Sequence, residues 1–167
     1  MTDQRADPTL PVHGGTHLPS VDVDSYNLET RDDEGFLGER ITKAAFRDVI
    51  DHLRKLLRKK GEDPLGEDPT EDLSKKTLDK LLAVGEPEAG GVVQSAIEDF
   101  AQEFALVIRR FLKLKAWRHT ERLAVGGGFR GSRVGELVIG RTGVILKSKK
   151  GGIELVAIRN EPEHSGA

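Results

Sequence analysis

The feature that most constrains this chain is one long apolar stripe. Between Pro87 and Trp117, residues Val93, Ile97, Phe100, Phe104, Ile108, Phe111 and Leu114 recur three or four positions apart, the spacing of one helix face. Ala96, Ala101 and Ala105 flank the stripe and let a neighbour approach closely. Pro87 suits a first helical turn, where its missing N–H has no intrahelical partner anyway. A helix of that extent is roughly 45 Å long at 1.5 Å per residue. It must cross a whole domain, so a sheet or other helices must cover it. The material for that cover is lean: hydrophobic residues make up 37% of the chain and charged residues 32%.

Upstream, the spacing predicts a helix from Gly38 to Lys60, with Ile41, Ala45, Val49, Leu53 and Leu56 on one face and Phe46, Ile50 and Leu57 widening it. Basic residues fill its last turn, where they suit the helix dipole, and Gly61 stops it. An acidic linker over 61–72 carries Pro64, Gly66 and Pro69, and a short helix over Asp72 to Val84 carries Leu73, Leu78, Leu81 and Leu82. Region 21–84 is thus expected to be helical, with weak alternation over Val21 to Thr30 at its start that reads as an edge strand. Residues 1–20 hold Pro8, Pro11, Pro19, Gly14 and Gly15 with little to bury, and are expected to be disordered.

Downstream of the long helix comes a polar turn at Lys115 to Thr120, and then the period changes. Arg122 to Val125 reads as a strand, Gly126, Gly127 and Gly128 as a turn, Val134 to Leu146 as a helix and Ile153 to Ile158 as a second strand. Strand–helix–strand units build parallel sheet through a right-handed crossover. The expected fold class is α/β, helix-rich with a small and incomplete sheet, because two strands do not stand alone.

Charge and composition narrow the function classes. There is no cysteine, hence no disulfide framework and no thiolate metal site. No run approaches the ~20 apolar residues of a membrane span, and Thr9 to Val12 is too short for a signal-peptide core. The expectation is a cytoplasmic protein without a membrane partner. Met1 to Gly38 is acidic, whereas Arg109 to Lys150 carries twelve basic residues against Glu121 and Glu136. That favours a phosphate-bearing partner or an acidic protein surface, or simply keeps helix faces wet. Arg54, Lys55, Arg58, Lys59 and Lys60 read as a solvated helix end rather than a nucleic-acid patch, and nucleic acid is not an expected partner. His52, His119 and His164 lack metal-ligand spacing. Ser132 is not in a Gly-x-Ser-x-Gly elbow and is expected to cap the following helix.

The stretch with chemical content is Leu123-Ala124-Val125-Gly126-Gly127-Gly128-Phe129-Arg130. A strand runs into glycines that permit positive φ and leave the backbone open to a flat ligand. The helix that follows aims its N-terminal N–H groups at the same place, which favours a phosphate. Ligands of open α/β sheets bind beyond the carboxyl ends of the strands, where this turn lies. Read without a ligand, the same glycines make a tight strand-to-helix connection.

From Glu98 to Ala167 the order of elements, the glycine turn and the closing Pro162-Glu163-His164-Ser165-Gly166-Ala167 resemble the C-terminal part of the ROK family of sugar kinases and repressors. The resemblance implies a partial actin-like ATPase (ribonuclease H-like) domain, with 85–167 as its nucleotide-binding segment. Gly126, Gly127 and Gly128 would then lie against ATP, with Phe129 and Arg130 beside it, and a hexose such as glucose would be the substrate of the intact protein. The family's Asp-x-Gly-x-Thr phosphate loop is missing; Gly14-Gly15-Thr16, the nearest approach, reads as linker. No Asp stands out as a base for the sugar hydroxyl, and the family's cysteine-rich zinc loop is excluded. Mg²⁺ would follow only if a phosphate loop came from elsewhere. The stop at Ala167, where another helix should begin, implies a truncated or split chain that self-associates and is inactive as a hexose kinase by itself. The alternative is a non-catalytic helical interaction or regulatory protein derived from the same fold, its glycines purely structural.

Overall fold

In the computed structural model, residues 17–18, 21–22, 30–127, 131–148 and 152–157 are described. The long stripe forms one helix, α3 (Pro87–Phe111), with Pro87 in its first turn. Val93, Ala96, Ile97, Phe100, Ala101, Ala105, Val107 and Ile108 are buried along it, on more than one face. Helices α1 (Lys43–Arg58), α2 (Lys75–Val84) and α4 (Arg133–Lys147) all pack on it. The alanines serve as anticipated: Ala101 and Ala105 meet Ile145, Leu146 and Ile153 in one cluster. In the other, Phe46 of α1 sets its ring edge-on to Phe100, with centroids 5.3 Å apart.

Three helix boundaries differ from the expected ones, two of them through a side-chain cap. The first helix is broken at Thr42, whose hydroxyl accepts from Ala45 N–H at 3.2 Å and caps α1. Residues Leu37–Ile41 form a separate 3₁₀ turn, which tucks Leu37 against Val107 and Phe111. Helix α2 begins after Ser74, which accepts from Thr77 N–H at 3.0 Å, while Thr70–Asp72 is another 3₁₀ turn. Helix α3 ends at Phe111, so its 25 residues span roughly 37 Å. The chain then turns through Lys115–Trp117 to bring Trp117 back over Phe111, the rings stacked with centroids 4.9 Å apart.

The sheet elements are small. Strands β1 (His17–Leu18) and β2 (Val21–Asp22) pair antiparallel, so the weakly alternating segment contributes two residues of strand, and its remainder over 23–29 lies outside the described residues, as does 1–16. A hairpin that periodicity did not indicate joins β3 (Arg31–Asp32) to β4 (Gly35–Phe36), with Gly35 at φ +114°. Arg40 and Arg110 both pair with Asp32, which ties this hairpin to α3. The expected strand–helix–strand unit is present: β5 (Arg122–Val125) and β6 (Glu154–Ala157) pair in parallel, Leu123 opposite Leu155, with α4 between them in sequence. The fold is helix-rich α/β.

Arg54 departs most from expectation. It does not extend into water at the end of α1; its side chain is fully buried. Its Nη2 donates to Asp63 at 3.0 Å and to the Gly66 carbonyl at 2.7 Å, and its Nη1 donates to Thr70 at 3.0 Å. Thr70 donates onward to Asp51 at 3.2 Å. The acidic segment 61–72 is thereby wrapped around one guanidinium, with Leu65 and Leu73 inserted in the core beside it. Burial alone would raise the Asp63 carboxyl, but hydrogen bonds from Arg54 and Arg58 outweigh it and hold the group below its ordinary value of 3.8.

Removing one member of a buried ion pair strands the other, a loss of about 3–5 kcal/mol. Arg54→Met is therefore expected to lower urea-unfolding stability by about 3 kcal/mol, whereas Lys59→Met changes it by less than about 0.5 kcal/mol. Because the folded-state pKa of Asp63 is depressed, its contribution is full above 3.8 and fades as pH falls below it. The variant should accordingly lose less stability than the wild type on acidification over that range.

Candidate functional site

Strand β5 delivers the chain to Gly126 and Gly127, both exposed beyond its carboxyl end. Gly127 has φ +86°, a conformation that a β-branched side chain does not tolerate. A Cβ built there would meet nothing within 4 Å, so the requirement for glycine comes from the backbone angle and the space in front of the turn is open. Gly128, Phe129 and Arg130, the other three candidate contacts, lie outside the described residues.

The N-terminus of α4 is already occupied. Ser132 caps it as anticipated, accepting from Gly135 N–H at 3.1 Å. Asp79, from α2, receives the next two donors: Arg133 N–H at 3.0 Å and Val134 N–H at 2.9 Å, one on each carboxylate oxygen. Glu136 N–H closes on the Ser132 carbonyl at 3.0 Å. The donors expected to face a ligand phosphate are thus satisfied within the chain, by a carboxylate that stands where an anion would. Two nearby cations are engaged as well. Arg133 pairs with Glu136 at 3.3 Å, and Arg141 holds Glu98 at 2.9 Å. Arg141, seconded by Gln102, pulls the Glu98 carboxyl down to about 2.

What the turn does adjoin is an apolar cleft of about 280 Å³ along β5. Phe104, Phe111 and Trp117 line it from α3 and the turn after it, Leu123 and Val125 from β5, and Gly126 from just beyond the strand. No ionisable side chain is among its described lining residues. The site therefore combines flat aromatic walls, an open glycine backbone and no described charge, which suits the ring system of a ligand better than its phosphates. Sequence reasoning missed two of these parts. Asp79 reaches a backbone 55 residues away, which local pattern does not encode. Apolar spacing puts Trp117 at the end of a helix, and only the turn that follows Phe111 brings it to the cleft.

Among the described residues no group of three or more His, Asp or Glu side chains is arranged to hold a metal ion. None of the described helices is long and apolar enough to cross a membrane. In comparisons with known proteins, no family model, no curated protein and no solved structure matches the chain.

Losing a side-chain cap costs about 0.5–2 kcal/mol. Asp79→Ala should fall at the upper end of that range, since it frees two amides of α4, and inorganic phosphate should then raise its melting temperature more than it raises that of the wild type. Equal phosphate responses in calorimetry would show that the α4 amides do not form a latent anion site.

Proposed function

We propose that this chain binds the adenosine moiety of ATP at the β5–Gly126–Gly127–α4 connection, as the nucleotide-binding part of a ROK-type, actin-like sugar kinase. The observation that carries the reading is the aromatic-walled cleft that runs along β5 to Gly126, beside a glycine whose φ of +86° leaves the backbone bare. A flat base fits between such walls, and the carboxyl end of a parallel strand is where α/β sheets take ligands. The parallel pairing of β5 and β6 across α4 is in keeping with the topology that the resemblance implies.

The same geometry argues that phosphate recognition lies elsewhere. Phosphoryl transfer depends on holding the phosphates, placing Mg²⁺ and orienting the sugar hydroxyl. Here Asp79 fills the one helix terminus beside the turn, and the sequence has no Asp-x-Gly-x-Thr loop. The proposed role is thus nucleoside binding without hexose phosphorylation by this chain alone, the catalytic carboxylate and the hexose site being supplied by further structure. A parallel sheet is stable when both faces and both edges are covered. In β5 and β6 even the inward residues Leu123, Val125, Leu155 and Ala157 are only half-buried. That supports completion by other strands, in a longer polypeptide or through self-association.

A second reading, a non-catalytic helical interaction or regulatory protein, is favoured by the Asp79 cap itself. A helix terminus sealed by the chain's own carboxylate is what a purely structural strand-to-helix connection requires.

A thermal-shift titration separates the two. Under the proposal, adenosine and ATP at millimolar concentration raise the melting temperature by similar amounts, since only the base end is held, and Gly127→Val abolishes both shifts. Glucose-dependent ADP release by the purified chain should be absent. A shift with neither ligand would leave the interaction-protein reading standing; glucose-dependent turnover lost in Gly127→Val would contradict the assignment of catalysis to other structure.

A further inference from the structure

At the other end of α3, a groove of about 460 Å³ opens between α3 and α1. Leu53, Leu56 and Leu57 of α1 and Val92 of α3 give it apolar walls, and Leu56 is 46% exposed. Glu62 and Glu88 also line it, and neither carboxylate makes an ion pair among the described residues.

Gly91 adds a second observation. A glycine inside a helix costs roughly 1 kcal/mol relative to alanine, so its presence calls for a reason. At its neighbour Gly90 a Cβ would come into ordinary van der Waals contact, 3.4 Å from the Leu81 carbonyl oxygen of α2. A Cβ at Gly91 would meet nothing within 4 Å. No contact among the described residues fills the space at Gly91; what its bareness does is keep the groove open where it lines it.

We propose that this groove docks an amphipathic, basic helix of a partner protein. Helical shape follows from the walls. Leu53, Leu56 and Leu57 on one side and Glu88, Gly91, Val92 and Ser95 on the other are spaced three or four apart, so the groove is bounded by helix ridges, into which another helix's side chains interlock. Neither wall presents a free strand edge, which an extended peptide would need. Basic character follows from Glu62 and Glu88, which have no ion-pair partner among the described residues and which an acidic partner would leave uncompensated. The bare backbone at Gly91 is where the partner approaches closest, and Leu56 supplies the exposed apolar contact.

The test uses the full chain and two synthetic amphipathic helical peptides with leucine on one face, one bearing lysine and the other glutamate on the opposite face. The lysine peptide should bind in calorimetry at least about tenfold more tightly than the glutamate peptide, a difference of about 1.4 kcal/mol. Gly91→Leu, which plugs the groove while improving helix propensity, and Leu56→Lys, which removes the exposed apolar contact and adds a like charge, should each weaken the lysine peptide at least about tenfold. Both variants should keep the wild-type circular dichroism spectrum. Equal binding of the two peptides, binding of the lysine peptide unchanged in Gly91→Leu, or no binding at millimolar peptide would overturn the proposal. A wild-type oligomer that Gly91→Leu dissociates would also overturn it, by giving the groove to a second copy of this chain.

Discussion

Everything in this structure depends on covering one helix. Helix α3 is apolar on more than one face, and a 25-residue helix with that pattern has no stable existence in water. Its cover comes from α1, α2 and the start of α4 over its first half, the rest of α4 and the β5–β6 sheet over its second, and the turn at Leu37–Ile41 over Val107 and Phe111. Small residues set how near the cover comes: Ala96, Ala101 and Ala105 are fully buried.

Charge then fixes what hydrophobic packing leaves loose. Arg54 gathers Asp63, Thr70 and the Gly66 carbonyl and so folds an otherwise irregular acidic segment onto α1. Asp79 does the same between helices, since its two oxygens on the Arg133 and Val134 amides set where α4 begins relative to α2. Arg141 and Glu98 clamp α4 to α3 further along. For the Arg54 guanidinium and the Val134 amide the partner satisfies a group that burial would otherwise leave unpaired, which matters more than the attraction itself; the Arg141–Glu98 pair is exposed. The functional consequence is specific. By spending Asp79 on the start of α4, the fold closes an anion site and leaves the neighbouring turn with aromatic and backbone surface.

Much of the fold was legible in the sequence because its signals are periodic and local. The stripe from Val93 to Phe111, the caps at Ser132 and Gly61, and the change of period at Arg122 announced α3, α4, the stop of α1 and the parallel strand pair. The boundaries at Thr42 and Ser74 were misplaced because apolar spacing runs through a capping residue that interrupts the helix. Arg54 was read as solvated for a related reason: charge clusters at a helix end are ordinarily wet, and nothing in Lys55, Arg58, Lys59 and Lys60 distinguishes the one position that turns inward. It lies four residues from Ile50 and Arg58 and seven from Gly61, on the side where the acidic segment returns. Of the candidate site, Gly126 and Gly127 were legible from the strand–glycine order, whereas the cleft was not. Trp117 reaches it by a turn after Phe111, and Asp79 by a contact across 55 residues.

On the proposed reading, the turn after β5 receives the ring system of a nucleoside while the start of α4 does not receive phosphate. Backbone amide shifts of the labelled chain during titration with ATP test it most directly. The claim predicts movement of Gly126 and Gly127 and of the Trp117 indole N–H, with Arg133 and Val134 held in place by Asp79. Movement confined to Arg133 and Val134, with Gly127 and Trp117 unchanged, would contradict it.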